Sequence, residues 1–293
     1  MDDSNSGNPN NDRDGVIVHY NSFGRGGAEG AHVTALEGAL SDWSDIGASA
    51  FDFAEEVIFT DFAPSLARET PGPSSFSGTN QVGWDRIGGS TIAVTYFATS
   101  AFTGPEADMV INDRLAWVTS DADESSPFIN FDLKTIALHE FGHFLGLGHT
   151  SVATALMVSF YAGPRDIQLD DELAATTLYP TNTGSISGNV GDGSDGVEGA
   201  TVSLHIAADQ PASVSVETEA NGDYTIPDLI PGEDYIVRAS AKGFDDSGDL
   251  PGGTITVGEN LDRDFMLVES GDDDDGGGGP CNNPNSRNPQ CGP

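Results

Sequence analysis

Hydrophobic and polar positions divide the chain into stretches of different period. Val16, Val18 and Tyr20 alternate with Ile17 and His19 in a β-rich run, and Val33, Leu36, Leu40, Trp43 and Ile46 then recur at helical spacing. A strand followed by a long helix is predicted. Further β-type runs at 51–53, 91–97 and 109–112, separated by Gly/Pro/Ser-rich stretches such as 70–78, supply the rest of one sheet. Asp132 is placed to cap a helix through Leu133, Ile136, Leu138, Phe141 and Leu145, which Gly146 and Gly148 bring to an end. A last helix opens on Asp170-Asp171-Glu172, acids at the positive end of its dipole, and stops at Pro180.

From 185 to 268 the texture changes to short alternating runs at 186–190, 201–206, 213–217, 224–226, 235–239, 254–257 and 264–267. Asn221-Gly222-Asp223 and Pro231-Gly232 supply turn chemistry, and the whole predicts a β-sandwich. The flanks lack apolar periodicity. The expected organisation is a disordered arm at 1–15, a first domain at 16–180, a linker at 181–184, the sandwich at 185–268 and an acidic Gly-rich flexible tail at 269–293.

Composition narrows the partners. Acids number 47 against 11 lysines and arginines, a formal charge of −36, and Lys134 and Lys242 are the only lysines. Such a surface repels nucleic acid and anionic membranes, which require clustered cations, so both are excluded as partners. At molar salt the Debye length falls to about 3 Å, and the carboxylates then hydrate the surface without repelling one another. A halophilic protein is expected, with a moderately acidic secreted protein as the alternative. No apolar stretch is long enough to span a membrane, and Met1-Asp2-Asp3 opens no signal peptide. The expected location is extracellular, with the leader absent from this sequence, and the expected state is a monomer. Cys281 and Cys291, the only cysteines, either close a small loop or remain thiols.

The chemistry is concentrated in His139-Glu140-Phe141-Gly142-His143-Phe144-Leu145-Gly146-Leu147-Gly148-His149. Residues four apart share a helix face, so His139 and His143 can present two nitrogens to one Zn²⁺ at about 2.0–2.1 Å. His149 reaches the same ion only where the chain turns sharply, and Gly146 tolerates the positive φ such a turn needs. Glu140 points towards the open fourth position, where it can take a proton from water and pass it to a leaving amine. A single helical histidine is more often a packing residue, but the five fixed positions arise by chance on the order of 10⁻⁵ times per chain of this length. His19, His32 and His205 are read as ordinary structural or surface residues.

With this motif the sequence resembles the metzincins, and among them the matrixin-like branch with its secreted bacterial and archaeal members, over about residues 15–180. The resemblance implies an α+β (α/β) catalytic domain with a twisted mixed sheet and a zinc-binding active-site helix, followed here by the all-β sandwich. It implies a secreted zinc-dependent endopeptidase acting on protein or peptide substrates, with metal ligands His139, His143 and His149 and with Glu140 as general base. Ala155-Leu156-Met157 resembles the family's Met-turn, which makes Met157 an apolar floor under the ligands. Residues 88–96 resemble the edge strand that carries the substrate, with Ile92 and Val94 as contacts, and residues 105–112 the strand before the catalytic helix. Residues 169–179 resemble the family's C-terminal helix. Where matrixins usually carry proline two residues after the Met-turn methionine, Ser159 stands here, followed by Tyr161, and both are expected at the substrate pocket. No inhibitory propeptide cysteine precedes the domain.

Ser187-Gly188-Asn189-Val190, Val197-Glu198-Gly199-Ala200-Thr201-Val202, Asn221-Gly222-Asp223-Tyr224, Leu229-Ile230-Pro231-Gly232 and Ala241-Lys242-Gly243-Phe244 resemble carboxypeptidase regulatory-like, transthyretin-like modules. The expected role of the module is accessory, in spacing, stability or contact with a cell surface or extracellular matrix. The module's acids are candidate Ca²⁺ ligands, with a solvated acidic face as the favoured reading. Two other functions are weighed against the endopeptidase: an adhesion or surface-binding protein with a slow or inactive zinc domain, and a structural zinc protein with all four metal positions closed.

Overall fold

The computed structural model describes residues 18–21, 29–53, 58–59, 79–100, 104–119, 130–161 and 165–270. The expected arm at 1–15, the stretch 70–78, the side chain of His19, and the tail from 271 with both cysteines lie outside the described residues.

The first half is a sheet with helices packed on it. Its elements are β1 (His19–Asn21), α1 (Glu29–Ser44), β2 (Ile58–Phe59), β3 (Gln81–Asp85), β4 (Ala93–Ser100), β5 (Gly104–Asn112), β6 (Trp117–Val118), β7 (Phe131–Asp132), α2 (Leu133–Phe144) and α3 (Leu169–Leu178). The sheet runs β2-β1-β3-β5-β4. All its pairings are parallel except that of β4 with β5, which is antiparallel, so β4 forms an edge beside α2. The apolar stripe of α1, with Leu36, Leu40 and Trp43 buried, meets Leu133, Leu138 and Phe141 of α2 and Tyr20, Val82, Met109 and Ile111 of the sheet. Trp43 Nε1 donates to Leu138 O at 2.9 Å, which satisfies the one polar atom of a ring otherwise packed in hydrocarbon. His32 is a core residue, its Nδ1 2.9 Å from the Tyr20 hydroxyl, to which Trp84 Nε1 donates.

Several expectations change. Residues 51–53 form no strand; Phe51 and Phe53 are buried in an irregular segment and meet edge to face, ring centroids 4.8 Å apart. Ile46 lies past the end of α1, and the run expected at 91–97 is ordered as strand only from Ala93. Strand β3 was not expected. Its first four residues are all buried, as in a parallel strand covered on both faces, so the alternation that betrays a half-exposed strand is missing.

The second half is the all-β sandwich: β8 (Gly184–Gly191), β9 (Thr201–His205), β10 (Val214–Glu217), β11 (Asp223–Leu229), β12 (Asp234–Ser240), β13 (Leu250–Thr254), β14 (Asn260–Asp262) and β15 (Phe265–Met266). One sheet runs β10-β9-β12-β13; the other runs β11-β8-β14, with β15 also on β8. Ile186, Val190, Val202, Leu204, Tyr224, Ile226, Tyr235 and Val237 fill the space between them. The run expected at 254–257 lies instead at Leu250–Thr254. Pro251-Gly252-Gly253 reads as a turn, yet an edge strand with a register shift accommodates it. His205 is buried and bonded to Ser203 and Gln210 O. The halves are in contact: Leu173 of α3 and Ala48 pack in the sandwich core, α3 lies against β11, and Thr181 N donates to Ala48 O at 3.0 Å.

Candidate metal centre and cleft

Helix α2 is fixed at both ends by local chemistry. At its start the Asp132 carboxylate accepts from Thr135 N at 2.8 Å and Thr135 Oγ1 at 2.6 Å. At its end Gly146 adopts φ 100°, Gly146 N donates to His143 O, and Leu147 N donates to Gly142 O. These two bonds are the Schellman arrangement, and they reverse the chain so that His149 returns over the last turn. Tyr179 closes the turn with a 2.8 Å bond from its hydroxyl to Leu145 O.

One nitrogen from each of His139, His143 and His149 falls within 4.8 Å of the other two, and His139 Nε2 is 3.2 Å from His149 Nε2. The Nδ1 atoms of His139 and His143 face Leu156 O at 2.9 Å and Leu147 O at 2.7 Å. A carbonyl can only accept, so Nδ1 carries the proton in both rings and the Nε2 lone pairs are left to converge. Burial holds His139 down to about 4 and also lowers His143, so both imidazoles are neutral at neutral pH, as a metal ligand requires. The set fits Zn²⁺: two nitrogens at tetrahedral positions about 2.0–2.1 Å from one ion are roughly 3.3 Å apart. Among the described residues no fourth histidine, cysteine or carboxylate joins the cluster, which is the pattern of an open site and not of a closed structural one.

Glu140 lies on the same wall. Burial pushes its carboxyl up to about 7, against the opposing pull of the Thr95 hydroxyl, which donates to Glu140 Oε2 at 2.7 Å. A cleft of about 590 Å³ runs between β4 and the segment after Met157. Its lining brings together the three histidines, Glu140, Ile92, Val94, Ser159 and Tyr161, all singled out from sequence, with Thr95 and Phe160, which were not. Phe160 is 61% exposed at the rim, whereas the Tyr161 ring rests against Phe131 at 5.2 Å.

Met157 is buried against Gly142, where an added Cβ would overlap its sulfur and press on Trp43. Gly142→Ala is therefore expected to lower stability by about 1–3 kcal/mol, the usual result of overfilling a packed site, read by denaturant unfolding. The segment that carries Met157 is held by Asp171: its buried carboxylate accepts from Leu156 N at 2.7 Å, Met157 N at 2.9 Å and Gln168 N at 3.0 Å. Sequence reading took Asp171 for a helix-dipole acid; its longer reach depends on a fold that brings residues 156–157 to the start of α3.

The sequence profile of matrixins matches residues 31–180, more than half of the chain, and contains every residue of this site. The chain belongs to the matrixin family. Matrixins are metalloproteases with a catalytic zinc, and this matrixin has a histidine triad that could hold a metal ion. A second profile, of the carboxypeptidase regulatory-like domain, matches 185–268. Among curated relatives, Metalloendoproteinase 4-MMP of Arabidopsis thaliana is 37% identical over 82 residues, covering 27% of this chain and 24% of its own. Karilysin of Tannerella forsythia is 49% identical over 49 residues, 16% of this chain and 10% of its own. Metalloendoproteinase 2-MMP of Arabidopsis thaliana is 30% identical over 151 residues, 49% of this chain and 36% of its own. The matched part thus spans about a third or less of each of these relatives.

Proposed function

We propose that this matrixin is a secreted zinc-dependent endopeptidase. The observation that carries the reading is the convergence of three imidazoles and one buried carboxylate on the wall of a cleft whose other wall is an edge strand. His139, His143 and His149 would hold Zn²⁺, which when bound would supply the Lewis acidity that makes water ionisable near pH 7 and polarises a carbonyl. The protein's own residues do the rest. The edge of β4, unpaired by any strand among the described residues, offers backbone donors and acceptors to an extended peptide, so that main-chain pairing fixes register while Ile92, Val94, Ser159 and Tyr161 meet side chains. Glu140 takes the proton of the attacking water on its carboxylate and delivers it to the amine that leaves. The carbonyls of Leu156 and Leu147 hold two ligand rings in one tautomer and orientation.

The test is hydrolysis of casein or gelatin with and without a chelator, at low and at multimolar salt. Cleavage abolished by chelation is the expected result. Cleavage that survives it would overturn the proposal, and zinc binding without cleavage in either salt would move the function to the β-sandwich.

A formal charge of −36 supports a further proposal, that the protein is built for high salt. Its melting temperature should rise from dilute buffer to multimolar KCl, and a salt-independent value would sink that idea.

A further inference from the structure

We infer that Thr95 is a positioning residue for the general base, an inference that rests on the endopeptidase reading and adds a residue to its machinery. Thr95 stands on β4 opposite Met109, in the stretch of the edge strand that lines the cleft, and its hydroxyl reaches across to α2. There Oγ1 lies 2.7 Å from Glu140 Oε2 and 3.2 Å from Glu140 O. Among the described residues no other side chain hydrogen-bonds the Glu140 carboxylate.

The consequence is geometric. A buried glutamate with two carbons between backbone and carboxylate has several rotamers open to it, and a base must sit within hydrogen-bond reach of the proton it takes. The Thr95 hydroxyl donates its one proton to Oε2 and so selects one rotamer, leaving Oε1 for proton transfer. Because Thr95 belongs to the strand that would carry the substrate, the same contact sets the base relative to the bound peptide.

The residue types suit this role. In the run Ala93-Val94-Thr95-Tyr96-Phe97, Thr95 is the one aliphatic hydroxyl among apolar and aromatic neighbours. Valine keeps the β-branched shape and removes the hydroxyl, so the bond can be tested without creating a cavity.

The experiment uses the full chain loaded with Zn²⁺ and a fluorogenic peptide that the wild type cleaves. Thr95→Val is expected to lower kcat about 10- to 100-fold, the range for loss of a hydrogen bond to a charged group, with KM within about twofold, zinc content unchanged and a melting temperature lowered by only about 2–8 °C. Thr95→Ser, which restores the hydroxyl, should recover kcat to within about threefold of the wild type. In a Glu140→Gln background Thr95→Val should cause no further loss, since the two residues act through one group. Crystal structures of the zinc-loaded wild type and Thr95→Val should show the Glu140 carboxylate displaced in the variant, a readout that stands even where no turnover is found. Wild-type kcat in Thr95→Val, an equal loss in Thr95→Ser, or an unmoved Glu140 carboxylate overturns the assignment. A wild type that binds zinc and cleaves no peptide sinks the endopeptidase reading instead, and the crystal structures then decide the placement of Glu140 on their own.

Discussion

Replacing Glu140 by alanine is expected to lower kcat/KM for peptide hydrolysis by about 10²–10⁴-fold while zinc content stays at the wild-type level, because general acid–base catalysis contributes about that much. The two readouts separate for a structural reason. Glu140 lies beside His139 in sequence, but the ligand rings are oriented by Leu156 O and Leu147 O and not by Glu140, so its removal leaves the nitrogen cluster intact. The same carboxyl is expected to set the acid limb of the pH profile. Only the ionised form accepts a proton, so kcat/KM falls as pH drops through its pKa. Burial raises that value from 4.5 to about 7. A dication nearby favours the ionised form, so the limb should lie between these two values and disappear from the residual activity of the variant. Zinc lost together with activity would show that Glu140 is structural.

Asp171→Ala is expected to cost about 3–5 kcal/mol of stability and to weaken zinc binding, although Asp171 touches no ligand. Its carboxylate takes three backbone N–H donors, from Leu156, Met157 and Gln168. Buried donors left without an acceptor cost roughly 1–3 kcal/mol each, offset in part by relief of a charge that burial already disfavours, as the raised pKa of Asp171 shows. The effect reaches the metal through a short chain of contacts: Asp171 holds Leu156 N, and Leu156 O holds His139 Nδ1. Denaturant unfolding and zinc titration check it together. A variant with wild-type stability and zinc affinity would remove Asp171 from the site's support. Leu173, two residues on, packs into the sandwich core, so α3 joins the support of the metal centre to the second domain.

The motif itself was legible because its chemistry is local: two histidines four apart on one helix, a glycine at positive φ and a third histidine after the turn depend on nothing beyond eleven consecutive residues. The sandwich was legible for a related reason, since half-exposed antiparallel strands alternate along their own sequence. What escaped was set by burial on both faces of a strand or by distance along the chain. Strand β3 is covered on both faces and shows no period; Asp171 and Thr95 act across 14 and 45 residues, on partners that only the folded sheet and helices bring near. Ser159 and Tyr161 were read from their place after Met157, and the fold adds what sequence could not, the Phe131 ring that Tyr161 leans on.

The most direct test of the account is a zinc titration of the chelator-stripped protein, following peptide cleavage and bound metal together. Three convergent nitrogens with no fourth protein ligand among the described residues predict one zinc per chain, with cleavage rising in proportion and reaching its limit at one equivalent. Full cleavage by the stripped protein, or a chain that takes up no zinc at the histidine triad, would contradict it.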